Sequence, residues 1–352
     1  MIHLDCAGSA YETGKQHGKS CPDAVHTSHA AWAPVNNVDA QQMKNEIDMI
    51  EKRLNKHFPE ILEEMQGIAD GADLTLEQVI SMNMEFELVS AANALPSCSN
   101  IGFKTSDQGV LIGKTADWYP DNSKEFTLAQ RYIPDTSQGH EFFHFGCAGT
   151  LRSEGGLNKS GLAMVLNGLP TWGGAPGRSV PTLALSRGVL QWCRDVQDAV
   201  DWLQRYDVLN WGFNLTLADA TGALCYVEVA PGAQAVHYPV EDYVIHTNHC
   251  LQTGPLERQL KPENTEMIGY PDLLENSKSR YDTLMKIVPE APRSLESMES
   301  ILRNRSTEGA ISQAGESHGL KTVYAVMVAP QTGTIWGTED FPPDGPFELY
   351  KI

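Results

Sequence analysis

The sequence predicts an α+β fold in which sheet layers are covered by helices, and three observations carry that prediction. From Asp39 to Ala92 apolar residues recur at three- and four-residue spacing. After Pro96 the period changes to short apolar runs punctuated by turn residues. Later helical stretches fall between groups of consecutive strands instead of alternating with single strands as βαβ units do. The seam between the two regimes is Leu95-Pro96-Ser97-Cys98-Ser99-Asn100-Ile101-Gly102-Phe103.

Taken in order, Ser9 is placed to cap a short helix, with Glu12 three positions on completing a capping box. Gly14 and Gly18 stand one turn apart and admit the close approach of another helix or of other backbone. Met43, Ile47, Ile50, Leu54, Phe58, Ile61 and Met65 form one apolar stripe, restarted at Pro59, which a first turn tolerates. Gly71-Ala72-Asp73-Leu74-Thr75-Leu76-Glu77 offers a stop and a new start, with Thr75 capping a helix that runs to about Ser90. The Met82, Met84 and Phe86 cluster reads as core or a neighbouring contact surface, not a cofactor box. Strands are expected at Ser99–Lys104 and Gly109–Lys114 around a turn, at Phe126–Ile133, at His140–Phe145, near Leu157 and at Gly161–Asn167. Helices follow over Pro181–Trp192 and Val196–Tyr206. Strands resume at Asn214–Ala218, Cys225–Val229, Gln234–Tyr238 and Tyr243–Thr247, then helices at Ser277–Ile287 and Leu295–Arg303. The chain closes on strands at Thr322–Val328, Gly333–Gly337 and Phe347–Tyr350.

At 352 residues the chain is one large domain or two ordinary ones, and 41% hydrophobic with 20% charged is ordinary for a globular protein. A net charge of −19, with no basic block to offset it, argues against binding nucleic acid or an anionic membrane. No apolar run reaches the roughly 18–20 residues that span a bilayer. Met1-Ile2-His3-Leu4-Asp5 lacks the basic and apolar regions of a secretory signal. Seven scattered cysteines without a CxxC pair fit the reduced thiols of a cytoplasmic protein better than a disulfide framework or a zinc site.

His140-Glu141-Phe142-Phe143-His144 matches HExxH, the zinc-protease signature, which needs its histidines one helical turn apart. Between Gly139 and Gly146, with this aromatic content, the run reads as a strand, which sets residues four apart about 13 Å from one another. One zinc cannot bridge that, so no metal is expected. His246-Thr247-Asn248-His249-Cys250 follows an apolar strand, and alternation splits its histidines between two faces. Such a strand end either aims side-chain donors at a substrate or satisfies local backbone.

No GxSxG, GxGxxG or P-loop is present, so the nucleophile candidates are cysteines. Cys98 differs from the others by lying at the seam, followed by two small polar residues. It reads either as a small residue opening a strand or as the N-terminus of a second chain after the Ser97–Cys98 bond breaks. A hairpin from Cys98 through Lys114 would bring Asp117 back towards it, where the carboxylate either orients the thiol or amine or caps a turn.

Four stretches, in this order, resemble the penicillin acyltransferase-like (peptidase C45) branch of the N-terminal nucleophile hydrolases. They are Gly8–Gly18; Ser97-Cys98-Ser99 with Gly113–Trp118; Asn214–Glu228; and His246-Thr247-Asn248-His249. The resemblance implies a four-layer αββα sandwich made as an inactive precursor. It implies self-cleavage into residues 1–97, a helical segment that stays as partner, and residues 98–352, the catalytic segment of the same domain. Cys98 would then supply a thiol nucleophile and an α-amino base, Asp117 would orient the new terminus, and Asn248 and Asn214 would stabilise the oxyanion. Trp118, Asn167 and Trp172 are expected to line the pocket. Ser97 and Ser317-His318-Gly319 depart from the family pattern, which has glycine before the nucleophile and Ser-Arg-Gly near the end. That departure and the net charge of −19 favour a small N-acyl amide as substrate, hydrolysed through a thioester without a cofactor. The alternatives are an acyl-CoA-dependent N-acyltransferase and an unprocessed amide-binding protein on the same fold.

Overall fold

The computed structural model describes residues 1–32, 40–83, 97–118, 123–173, 179–208, 211–261, 270–305, 309–315, 319–338, 341–342 and 344–352. The first segment comprises β1 (Ile2–Gly8), α1 (Ala10–Ser20), α2 (Pro22–Trp32), α3 (Ala40–His57), α4 (Pro59–Ala72) and α5 (Leu76–Met82). Strands β2 (Ser97–Ser106), β3 (Gly109–Trp118), β4 (Thr127–Pro134), β5 (Phe142–Cys147), β6 (Gly155–Asn158), β7 (Leu162–Leu169) and β8 (Ser179–Val180) follow. Then come α6 (Thr182–Trp192), α7 (Val196–Gln204), β9 (Asp207–Val208), β10 (Gly212–Asp219), β11 (Leu224–Ala230), β12 (Ala233–His237) and β13 (Tyr243–His246). The chain ends through α8 (Thr253–Leu256), α9 (Tyr270–Ile287), α10 (Leu295–Leu302), β14 (Lys321–Ala329), β15 (Thr334–Thr338) and β16 (Phe347–Lys351).

Among the described residues the strands form an eight-stranded sheet, ordered β1-β4-β5-β6-β7-β10-β11-β12, a six-stranded sheet, ordered β13-β2-β3-β14-β15-β16, and a small pair, β8-β9. The sheets pack face to face, β2 and β3 against β7 and β10. Helices α1, α6 and α7 lie on the eight-stranded sheet, with α4 on α1, and α9 and α10 cover the other. This is the four-layer αββα arrangement the resemblance implies. One apolar core joins the first helices to both sheets, and a second, with Ile101, Phe103, Leu284, Met298 and Leu302, lies under α9 and α10.

The capping box at Ser9 and Glu12 forms, as does one at Thr75 with Gln78, and Pro59 starts α4. Three readings change. The first segment is not wholly helical: β1 pairs parallel to β4, so residues from both sides of the seam share one sheet. A short strand at the end of the chain gives little local signal, since its partner lies more than a hundred residues away. The stop expected within Gly71–Glu77 falls at Asp73, in the left-handed region at φ 58°, where α4 ends. Helix α5 ends at Met82, and Met84, Phe86 and the rest to Ser90 lie outside the described residues, as does His318. The predicted strand at His140 begins instead at Phe142.

Gly71 has another use. A Cβ on Gly14 would sit 2.0 Å from the Glu64 carbonyl oxygen, and one on Gly18 would sit 2.4 Å from that of Ile68. Gly67 and Gly71 make the reciprocal approach to Tyr11 and Lys15. Helices α1 and α4 therefore touch backbone to backbone. Gly14→Ala must push them apart, and we expect a loss of about 1–3 kcal/mol, read from the urea midpoint. A midpoint unchanged from the parent would contradict this contact.

Candidate active site

The hairpin β2–β3 pairs Ser97 with Asp117 and Cys98 with Ala116. Pleating then sorts side chains by face. Ser97 and Ser99 turn towards α9, where both meet Arg280, and Cys98 and Asn100 turn towards the eight-stranded sheet. On the other edge, β13 pairs with β2 from Tyr243 opposite Phe103 to His246 opposite Asn100, where the ladder ends. Continuing that register sets Asn248 opposite Cys98. There its side chain replaces strand backbone: the Cys98 N–H donates to Asn248 Oδ1 at 2.7 Å. Asn248 Nδ2 donates to the Gly168 carbonyl at 3.0 Å, which commits one of its two hydrogens.

Cys98 is 3% exposed, with Lys114 Nζ 3.6 Å from its sulfur. Lys114 is fully buried and also donates to Glu154 at 2.9 Å and the Leu166 carbonyl at 2.8 Å. Arg152 closes a buried charged triad on the other Glu154 oxygen at 2.6 Å. Burial works against the Lys114 ammonium, but Cys98 and Glu154 outweigh it and raise its pKa. Burial likewise opposes the Glu154 carboxylate, and its two cations prevail. For the Cys98 thiol burial wins over Lys114 and lifts the pKa to about 11, so the thiol is protonated at neutral pH.

On the opposite face of the hairpin, Arg280 is fully buried. Its Nη1 donates to the Cys98 carbonyl and to Ser99 Oγ, its Nη2 to Ser97 Oγ and Asn248 Oδ1, and its Nε to Asn276. Asp117 accepts from Thr322 and from Gln313, the latter at 2.7 Å. Burial raises its pKa against the pull of Arg280. Because Asp117 pairs with Ser97, its carboxylate lies on the face away from the sulfur, on the side of the Ser97–Cys98 bond.

Residues 104–343 match the family described as acyl-coenzyme A:6-aminopenicillanic acid acyl-transferase. The chain belongs to that family. The 40 kDa form of acyl-coenzyme A:6-aminopenicillanic-acid-acyltransferase from Emericella nidulans is 23% identical over 282 residues, 74% of this chain and 73% of that protein. Among solved structures, penicillin V acylase from Agrobacterium tumefaciens is 15% identical, with TM-score 0.46, over 72% of this chain and 86% of that one. A Caenorhabditis elegans N-acylethanolamine-hydrolyzing acid amidase ortholog is 13% identical, with TM-score 0.43, over 72% of this chain and all of that one (100%). The match to the acyl-transferase family begins inside β2, beyond Cys98.

In this member of the acyl-transferase family the other expected residues divide. Asn167 donates to the carbonyls of His246 and Thr247, both at 3.2 Å, and so holds the loop that carries Asn248. Asn214 sits opposite Asn167 in the sheet and accepts from Asn100 at 3.3 Å; its hydrogen bonds go to Asn100 and Val227, not to Cys98. Trp118, expected in the pocket, is fully buried among Trp32, Phe126 and Tyr324, where its ring serves packing. Trp172 is 53% exposed just beyond β7. His140 pairs with Ser160, while His144 meets Gln130 and Ser153, so the HExxH rings keep separate company. No cluster of three metal-ligand side chains occurs among the described residues.

Sequence reasoning missed Lys114, Glu154, Arg152 and Arg280. Lys114 did leave a signal: a lysine inside the apolar run Val110-Leu111-Ile112-Gly113 and before Thr115-Ala116 is a charge where a buried strand should have none. Arg280 left no such signal, because one arginine in a mixed helix looks like solvated surface. The loop after β13 has its own support. His246 bonds Glu228 at 2.7 Å, and Ser277 Oγ accepts from the Asn248 N–H at 2.8 Å and meets His249 at 2.9 Å. Burial holds the His249 pKa down near 3, so that ring is neutral.

Proposed function

We propose that the chain is a self-processing amide hydrolase in which Cys98 becomes an N-terminal nucleophile. The observation that carries this reading is the pairing of two contacts on one residue: the Cys98 nitrogen held by Asn248 and its sulfur beside the Lys114 ammonium. In the precursor the Cys98 sulfur attacks the Ser97 carbonyl carbon, the thiol proton passes to the Cys98 nitrogen as the C–N bond breaks, and the acyl group ends on sulfur. Water then splits the thioester, leaving a Ser97 carboxylate and a free Cys98 amine. That amine, with an ordinary pKa near 7.7–8.0, takes the thiol proton in later turnovers. Lys114 stabilises the thiolate by charge, and Asp117, on the Ser97 side of the hairpin, steadies the new terminus.

In turnover, the thiolate attacks the carbonyl of an N-acyl amide, the protonated terminus gives its proton to the leaving amine, and water hydrolyses the thioester. An amine in place of water would give acyl transfer. The second Nδ2 hydrogen of Asn248, not used by Gly168, is the donor for the tetrahedral oxyanion. Asn214 acts on the site through Asn100. Residues 1–97 remain bound after cleavage, since β1 lies within the sheet and Glu64 pairs with Arg187 across the seam.

Intact mass tests the reading. Two pieces, 1–97 and 98–352, are expected, and a single inert chain after long incubation would overturn it. Asn248→Ala should lower kcat for amide hydrolysis by about 100- to 1,000-fold, the cost of one oxyanion donor. A loss confined to KM would remove Asn248 from that role.

A further inference from the structure

We infer that the acyl subsite beside Cys98 is built for an acyl group carrying a hydroxyl on its third carbon. The inference rests on the self-processing reading above. Self-cleavage and turnover pass through the same chemical object, a thioester on the Cys98 sulfur. In the first thioester the acyl group is the chain's own Ser97, and counting from its carbonyl carbon, Cα is the second carbon and Cβ, bearing Oγ, the third. What holds Ser97 Oγ is therefore positioned to hold the same substituent of a substrate, because the carbonyl shifts only from the nitrogen to the sulfur of one residue.

Ser97 is fully buried and its hydroxyl is held from both sides. Arg280 Nη2 donates to it, and Asn248 Oδ1 at 3.3 Å and Asn276 Oδ1 at 3.4 Å face it as acceptors. The set asks for a group that accepts and donates at one atom, which a hydroxyl does and a ketone or ether oxygen does not. All five Arg280 N–H groups are engaged in the uncleaved chain. When the Ser97 end swings out of the site, with residues 1–97 still held through β1 and Glu64, the Nη2 hydrogen it used loses its partner. A 3-hydroxyacyl group restores that bond, and a plain acyl group does not.

The experiment uses processed wild-type protein, its cleavage checked by mass, and three amides of one amine and one chain length: plain acyl, 3-oxoacyl and 3-hydroxyacyl. A buried donor left unpaired predicts kcat/KM for the 3-hydroxyacyl amide roughly 10- to 100-fold above the plain one, with the 3-oxo compound between. Arg280→Lys, where it still processes, should shrink that ratio towards one. A second arm needs no substrate: Ser97→Ala should slow self-cleavage by roughly tenfold or more, followed by mass against time. Equal rates for plain and 3-hydroxyacyl amides overturn the subsite and leave the hydrolase reading standing. A wild-type chain that neither cleaves nor hydrolyses any of the three overturns both.

Discussion

Cys98→Ala is expected to keep the chain whole and to abolish amide hydrolysis, a loss on the order of 10⁴- to 10⁶-fold in kcat. The size follows from the loss of the nucleophile itself. The six other cysteines are buried, and burial pushes the Cys6, Cys193 and Cys225 thiols up to about 12. Sulfur also performs both reactions, cleavage and turnover, so one substitution removes both. Mass spectrometry and a chromogenic amide assay on the same sample read the two outcomes. Cleavage at 97/98 in the alanine variant would show that another group attacks Ser97, and the nucleophile would have to be sought elsewhere. Serine at the same place is a sharper probe. It keeps the geometry beside Lys114 with a far less acidic hydroxyl, so cleavage should slow without the loss of the fold.

Arg187→Met is expected to destabilise the uncleaved Cys98→Ala protein by about 3–5 kcal/mol, read from its denaturation midpoint. Arg187 on α6 and Glu64 on α4 are 0% and 1% exposed and share two contacts at 2.9 and 3.2 Å. The guanidinium also lies over Tyr132 and Phe142, at 4.2 and 4.4 Å from their ring centres. Methionine keeps the apolar bulk and leaves a buried carboxyl without its cation. Burial already raises the Glu64 pKa against the opposition of Arg187, so removing Arg187 raises it further. The sign of the pH dependence follows. A carboxyl whose folded pKa lies above its unfolded one favours folding below the unfolded value and loses that contribution as pH rises through the folded one. The deficit of the variant should therefore be largest at neutral pH and shrink towards pH 4–5, a window set by the ordinary carboxylate range. A deficit under about 1 kcal/mol, or one that grows on acidification, would show that this pair does not hold the helices to the sheet. Because Glu64 and Arg187 lie on opposite sides of the seam, the same variant should loosen residues 1–97 from a processed enzyme.

The two predictions draw on different kinds of information. That Cys98 stands at the junction of two regimes was legible in the chain itself. Helical periodicity up to Ala92, Pro96, and short strands with Gly-containing turns afterwards are local facts, settled by residues within a few positions of each other. The capping boxes at Ser9 and Thr75, the Pro59 helix start and the hairpin that returns Asp117 beside the seam are local in the same sense, and each is present in the fold. The motif order, Cys98, Asp117, Asn214 and Asn248, carried the family resemblance, and the family match begins only beyond Cys98.

Tertiary structure decided what sequence spacing has no means to encode. β1 is a strand because β4 offers it an edge. Gly71 belongs inside α4 because the backbone of Lys15 comes against it there. Lys114 and Arg280 both come to touch Cys98, one on each face of β2, because pleating sends neighbouring side chains to opposite faces. Trp118 and Asp117 are adjacent in sequence and part for the same reason, the ring into the core and the carboxylate towards Gln313 and Thr322. Local periodicity sets where the chain changes character and places Cys98 at that point. Only the packing of two sheets and α9 around Cys98 decided its company, since burial and charge pairing depend on neighbours brought from far along the chain.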